Sequence, residues 1–180
     1  WIAAWIDLHP ANHMINHTPN PFFAGVRGAA GGAGMSLMSA FDLVVSGESA
    51  KYTMAYTRAG VTPDGTSSYF VTRHIGLRRM LDLTLTNRVL SAEEAESWGL
   101  VNRVVADDDV DTATVELATT LAQGATSALG EAKRVVYNGI DATLETASEF
   151  EAAMITKAMA SADGLEGVAA FVEKRAPEFE

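Results

Sequence analysis

The sequence predicts an α/β protein in which a strand-containing first part, residues 1–106, is followed by an all-helical second part, residues 107–180. Three observations carry this. Short apolar runs at residues 22–26, 43–45 and 51–55 are separated by helix-length segments, a spacing that favours α/β over a sandwich. A glycine-rich run at residues 27–34 follows the first strand and leads straight into a helix. Beyond Asp107 the chain reads as helical almost to its end.

Taken in order, residues 1–17 read as a helix stopped by Thr18-Pro19-Asn20-Pro21, with Pro10 marking a first turn or a kink. The strand 22–26 enters Arg27-Gly28-Ala29-Ala30-Gly31-Gly32-Ala33-Gly34, and 35–40 reads as the helix that opens from it. Turn chemistry in Val61-Thr62-Pro63-Asp64-Gly65 precedes a helix over 67–74, and a further helix covers 77–85. Ser91-Ala92-Glu93-Glu94 is a capping box, Gly99 ends that short helix, and 100–105 is a brief strand. Helices follow over 110–123, 128–137, 144–162 and 164–174, and Trp98, Met154 and Met159 read as core.

With 180 residues, 48% of them hydrophobic, the chain can bury a real core. It has no cysteine, which excludes a disulfide scaffold, a thiolate nucleophile and a cysteine-based metal site. A net charge of −10 argues against a protein whose main task is holding nucleic acid. The longest charge-free, mostly apolar stretch, residues 28–41, is shorter than the roughly 20 apolar residues a membrane span needs. No signal-peptide pattern opens the sequence, so a soluble, cytoplasmic protein without membrane attachment is expected. It begins in mid-pattern without methionine, and a piece of a longer chain is expected.

Four features could carry chemistry. A strand that passes through glycines into a helix lets backbone N–H groups approach a phosphate or a developing oxyanion, and tight helix–strand packing asks for the same small residues. The run lacks GxxxxGK[ST] and a clean GxGxxG, which speaks against a phosphate loop. Asp64 is a lone carboxylate at a turn, suited to capping or, given an apolar surround from Tyr56, Tyr69 and Phe70, to proton transfer. His9, His13 and His17 repeat at four-residue spacing, but no carboxylate shares their stripe, so no metal site is expected, and His9 alone is the candidate to face an active site. Ser36 has no GxSxG elbow and no adjacent base, and reads as a helix residue near the oxyanion pole.

Together these pieces resemble the crotonase superfamily, the enoyl-CoA hydratase/isomerase family, over about residues 21–179. The resemblance rests on Gly25-Val26-Arg27-Gly28-Ala29-Ala30-Gly31-Gly32-Ala33-Gly34-Met35-Ser36-Leu37, Phe41-Asp42-Leu43-Val44-Val45 and Gly60-Val61-Thr62-Pro63-Asp64-Gly65. Leu85-Thr86-Asn87-Arg88, Ser91-Ala92-Glu93-Glu94-Ala95 and Trp98-Gly99-Leu100-Val101 follow in the family's order. It implies a ClpP/crotonase-like fold of repeated ββα units, here lacking its N-terminal part, with a helical C-terminal region used for assembly into homotrimers or hexamers. It implies an acyl-CoA thioester substrate, a place in fatty acid and lipid metabolism, and no separate cofactor, since coenzyme A belongs to the substrate. Of the two backbone N–H groups that stabilise the family's thioester enolate, one aligns with Ala33, flanked by Gly32 and Gly34, and the other is expected upstream of Trp1. Phe171 and Lys174 resemble residues that touch coenzyme A from a neighbouring subunit.

Where the family's hydratases carry two glutamates, this sequence has Ser36 and Tyr56, which leaves Tyr56 to shape the acyl pocket. Asp64 matches the carboxylate of the epoxyphenylacetyl-CoA-type isomerases and the nucleophilic aspartate of the 4-chlorobenzoyl-CoA dehalogenases. His9 aligns with the dehalogenase histidine, while Tyr56 replaces its tryptophan. The expected activity is enolate-stabilised double-bond isomerisation with Asp64 as the base, ahead of hydration. The alternatives are dehalogenase-like hydrolysis of an aryl-CoA with Asp64 as nucleophile, and a non-catalytic acyl-CoA-binding protein of the same fold.

Overall fold

The computed structural model describes residues 2–179, with side chains described from Leu8 onward. Trp1, which the sequence places in the first helix, lies outside the described residues. The chain divides into two units. The first comprises the chain up to Asn16 together with Phe22–Glu116, and the second His17–Pro21 with the chain from Leu117 on.

In the first unit, α1 (Ile2–His17) continues through Pro10, whose ring costs the helix one N–H without ending it. Two pairs of short strands follow, β1 (Phe23–Val26) with β2 (Ala29–Gly31) and β3 (Leu43–Gly47) with β4 (Lys51–Thr53). The first strand of each pair enters one sheet and the second enters another. β1 pairs in parallel with β3, Phe23 opposite Leu43, and β2 pairs in parallel with β4, Ala29 opposite Lys51. Each pair is followed by a helix, α2 (Ala33–Met38) and α3 (Ser67–Ile75), which is the expected repeat of ββα units. β5 (Leu90–Ser91) adds antiparallel to β4, and β6 (Arg103–Val105) completes the β1-β3-β6 sheet.

The core lies where these sheets meet α2, α3 and α4 (Leu77–Thr86). Met35, Met54, Tyr52, Val71, Leu83 and Leu90 are fully buried there. Tyr52 brings a phenol into this apolar space and donates its hydrogen to Ser46 Oγ at 2.6 Å, so one sheet is tied to the other by a satisfied polar pair. The capping box forms as expected at the start of α5 (Ala92–Ser97), with Glu94 N–H donating to Ser91 Oγ at 3.1 Å. Arg88 bridges Asp82 and Glu94 and covers the Trp98 ring, while Asn87 Nδ2 donates to Thr57 Oγ1. The Thr86-Asn87-Arg88 segment of the sequence pattern therefore works as a structural junction.

Several boundaries differ from expectation for local physical reasons. The glycine run contains β2, because its backbone pairs with Lys51–Thr53 despite the small side chains. The helix expected at 35–40 starts two residues earlier, at Ala33, and ends at Met38. The strand expected to reach Ala55 ends at Thr53, since Ala55 is left-handed at φ 55°. The strand expected from Leu100 is confined to Arg103–Val105.

The second unit is helical. α6 (Val110–Ala122) leads into it, followed by α7 (Thr126–Asp141), α8 (Leu144–Met159) and α9 (Ala162–Glu173). α7 packs against the 17–21 loop, where a Cβ on Gly130 would meet the Pro19 carbonyl at 3.0 Å. Lys133 Nζ donates to the Asn20 carbonyl in the same place. Met159, expected in the core, is 54% exposed. No helix among the described residues is long and apolar enough to cross a membrane.

Candidate active site

Asp64 stands in the turn before α3, with its side chain 21% exposed. His9, on α1, places Nε2 3.0 Å from Asp64 Oδ1. An ionised carboxylate only accepts, so Nε2 carries the hydrogen of this bond. The carboxylate therefore has a polar partner where the sequence had offered it an apolar surround. Of the aromatic residues named for that surround, Phe70 is buried edge-on to Tyr69, and Tyr69 lies under the Arg73 guanidinium at 3.5 Å.

The turn is held through its backbone. The Asp64 carbonyl faces the hydroxyls of Ser67 at 2.9 Å, Ser36 at 2.9 Å and Tyr56 at 3.3 Å. Ser36 Oγ and the Tyr56 hydroxyl are themselves 2.8 Å apart, and both residues are buried. Each hydroxyl has one hydrogen. If Tyr56 donates to Ser36, Ser36 has its own hydrogen for the carbonyl; if Ser36 donates to Tyr56, Tyr56 has one to give. Burial pushes the Tyr56 phenol above its ordinary pKa, and the negative charge of Asp64 adds to this against the bond from Ser36. The phenol is thus further from ionising than a free tyrosine. Exchanging Tyr56 for phenylalanine should cost about 1 kcal/mol of stability and leave kcat within several-fold, measured by thermal melting and steady-state kinetics. A loss of about 10²-fold or more would make Tyr56 a proton carrier.

Gly65 and Thr66 complete the turn with consecutive left-handed backbones, both at φ 60°. For a threonine that conformation costs on the order of 1–2 kcal/mol. Asn12, fully buried on α1, donates Nδ2 to the Gly65 carbonyl at 2.7 Å and to Thr66 Oγ1 at 3.1 Å. Sequence reading missed Asn12, while Thr66 and Ser67 stood out only within Thr66-Ser67-Ser68-Tyr69, a stretch beside Asp64 that is similar to the dehalogenases and was given no role of its own. Nothing local distinguishes Asn12 from any other helical asparagine.

The glycine run resolves into distinct tasks. Gly32 needs its φ of 51° with ψ −116°, a backbone that turns the chain from β2 directly into α2. The Tyr56 ring lies close beneath it, 3.8 Å from where a Cβ would sit. Gly34 is exposed, and a Cβ there would meet nothing within 4 Å, so packing does not explain it. Between them the Ala33 N–H opens α2 and has no acceptor among the described residues, as the geometry of a helix start requires.

The first unit thus brings together His9, Gly32, Ser36, Tyr56 and Asp64. Phe171 and Lys174 belong to the second unit. Phe171 is 84% exposed, and Lys174 ends α9 in a left-handed cap at φ 56°. Just beyond it Arg175 grips Glu166 through Nη2 at 2.8 Å, holding that carboxyl down at about 2. His13 and His17 are exposed, and no group of three or more His, Asp or Glu among the described residues could hold a metal.

The sequence pattern of the enoyl-CoA hydratase/isomerase family matches residues 4–180. Over 171 residues the chain is 35% identical to 1,2-epoxyphenylacetyl-CoA isomerase of Escherichia coli K12, covering 95% of this chain and 65% of that protein. It is 36% identical over 143 residues to 4-chlorobenzoyl coenzyme A dehalogenase-1 of an Arthrobacter species, covering 79% of this chain and 52% of that one. The crystal structure of an enoyl-CoA hydratase from Polaromonas sp. JS666 superposes with a TM-score of 0.93 at 31% identity, over 98% of this chain and 68% of that one. The chain therefore spans about two thirds or less of the length of these relatives.

Proposed function

Because the chain belongs to the enoyl-CoA hydratase/isomerase family and has its crotonase fold, we propose that it acts on acyl-CoA thioesters by moving a double bond, with Asp64 as the base. The observation that carries this reading is the state of the hydroxyls beside Asp64. Ser36 and Tyr56 stand where the family's hydratases have glutamates, and their two hydroxyl hydrogens are taken up by the bond between them and by a bond to a backbone carbonyl. Adding water across a double bond needs one group to take a proton and a second to give one, and neither hydroxyl does so near neutral pH. Shifting a double bond needs one carboxylate that removes a proton from one carbon and returns it to another, which Asp64 can do alone.

In this reading the Ala33 N–H binds the thioester oxygen as the enolate forms, and the open face at Gly34 lets the substrate approach the backbone. The His9 N–H keeps the Asp64 carboxylate aimed. Tyr56 forms the floor of the acyl pocket below Gly32. Phe171 and Lys174 contact coenzyme A from a neighbouring copy in a homotrimer or hexamer, in the cytoplasm. Coenzyme A arrives as part of the substrate, and no further cofactor is called for.

The test follows a short 3-enoyl-CoA and crotonyl-CoA with the full-length protein by proton NMR in D₂O. Migration of the double bond, or deuterium entering the α and γ positions, is the expected result. Water addition to crotonyl-CoA without migration would overturn the isomerase reading.

The His9–Asp64 contact favours a second reading, in which an Asp64 oxygen attacks an aryl-CoA ring carbon and displaces halide. His9 then takes the proton of the water that hydrolyses the aryl ester. Tyr56 in place of the dehalogenase tryptophan weighs against it. Mass spectrometry of a quenched reaction with a 4-halobenzoyl-CoA decides, since this route alone leaves an aryl ester on Asp64.

A further inference from the structure

Asn12 is fully buried and only half satisfied. Its Nδ2 donates to the Gly65 carbonyl and to Thr66 Oγ1, while its Oδ1, equally buried, has no partner among the described residues. Leaving a buried acceptor unpaired lowers stability, and a leucine of nearly the same shape would avoid that loss. Stability therefore does not ask for asparagine at this position. The contacts it does make are to the two left-handed residues that follow Asp64.

Those contacts fix the turn. Thr66 Oγ1 accepts from Asn12 and passes its own hydrogen to the Gly65 carbonyl at 2.6 Å, closing a ring of three groups around the strained pair. With the Gly65 peptide held on one side and the Asp64 carbonyl held by Ser36 and Ser67 on the other, the backbone from which the Asp64 carboxylate projects has little freedom. Asn12 follows His9 by three positions, so both lie on one face of α1. That face meets the carboxylate with His9 and the backbone of the same turn with Asn12, and any shift of α1 carries both together.

We propose that Asn12 is a positioning residue for Asp64, its buried amide holding Gly65 and Thr66 in the left-handed conformation that aims the carboxylate. This rests on the reading of Asp64 as the base. It places a residue 53 positions away in sequence from Gly65 in the machinery of proton transfer, through backbone alone.

The test compares the full-length protein with Asn12→Leu by steady-state kinetics, thermal melting and hydrogen exchange of the segment 61–70. Expected for the leucine variant are a melting temperature equal to or above wild type, KM within about threefold, kcat lower by about 10- to 100-fold, and faster exchange confined to the turn. A folded variant with kcat within about twofold of wild type overturns the proposal. So does a fall in kcat that comes with a matching fall in melting temperature and unchanged exchange at 61–70, because Asn12 would then be merely structural. If the leucine variant does not fold, Asn12→Ser, whose shorter hydroxyl cannot span both contacts, is read by the same criteria. If wild type turns over none of the acyl-CoA substrates, the isomerase reading fails by itself. The exchange comparison then decides alone, with unchanged protection of the turn counting against Asn12.

Discussion

Replacing Asp64 by asparagine should lower double-bond migration by about 10²–10⁴-fold, the range that a positioned base contributes, while acyl-CoA affinity stays within a few-fold. The substitution suits the question because it changes little else. Asparagine keeps the shape of the side chain and an oxygen that can accept the His9 N–H now 3.0 Å from Asp64 Oδ1. The backbone carbonyl at this position keeps its bonds from Ser67 and Ser36, so the turn has no reason to move. What disappears is the capacity to take a proton from carbon. Rates of α and γ deuterium exchange, measured beside a binding titration with a non-reactive acyl-CoA, separate the two effects. An unchanged exchange rate would remove Asp64 from the mechanism, and a parallel loss of binding would make it a substrate contact.

The second large effect is expected one residue further on. In Gly65→Ala a Cβ would lie 2.5 Å from Leu8 Cδ2 and 3.0 Å from Ser36 Cβ, on a backbone at φ 60°. The left-handed conformation adds on the order of 1–2 kcal/mol for alanine, and crowding in a packed site typically another 1–3 kcal/mol. Leu8 can rotate away. Ser36 cannot without giving up its bonds to Tyr56 and to the Asp64 carbonyl. The melting temperature should fall by roughly 5–15 °C. Turnover should fall by about 10²-fold even well below the new midpoint, since a displacement near 1 Å at the base costs that much. A variant that melts within a degree or two of wild type and keeps its kcat would show that the turn accepts a side chain, and the argument for a rigid catalytic turn would fail.

Much of this region was legible in the sequence because its determinants are local. The strand, glycine run and helix at residues 23–38 follow from side-chain size and the conformations glycine allows, and the capping box at Ser91 and Glu94 is a four-residue device. Asp64 was legible as a turn carboxylate because Pro63 and Gly65 flank it. The short elements were not. β2 and β5 are three and two residues long, and they exist because β4 lies between them as a pairing partner rather than because of their own composition. Tyr69 and Phe70 were near enough to Asp64 in sequence to contribute to an apolar surround; in α3 their rings pack edge-on against each other, a contact that sequence proximity to Asp64 does not reveal.

By itself, then, the sequence determined the α/β order of elements, the helix that opens at the glycine run, and the presence of a turn carboxylate at residue 64. Each of these depends on residues a few positions apart, within reach of propensity and turn chemistry, whereas the reading of Ser36 and Tyr56 as standing in place of two glutamates rests on the family resemblance. The tertiary structure alone decided what that carboxylate meets. His9 reaches it from α1, Asn12 from the same helix holds the turn behind it, and Ser36 and Tyr56 converge on its carbonyl from α2 and from the segment after β4. Such contacts arise when elements distant in sequence bury their apolar faces against one another, and the positions of His9 and Asn12 are set by that packing, which no local pattern encodes.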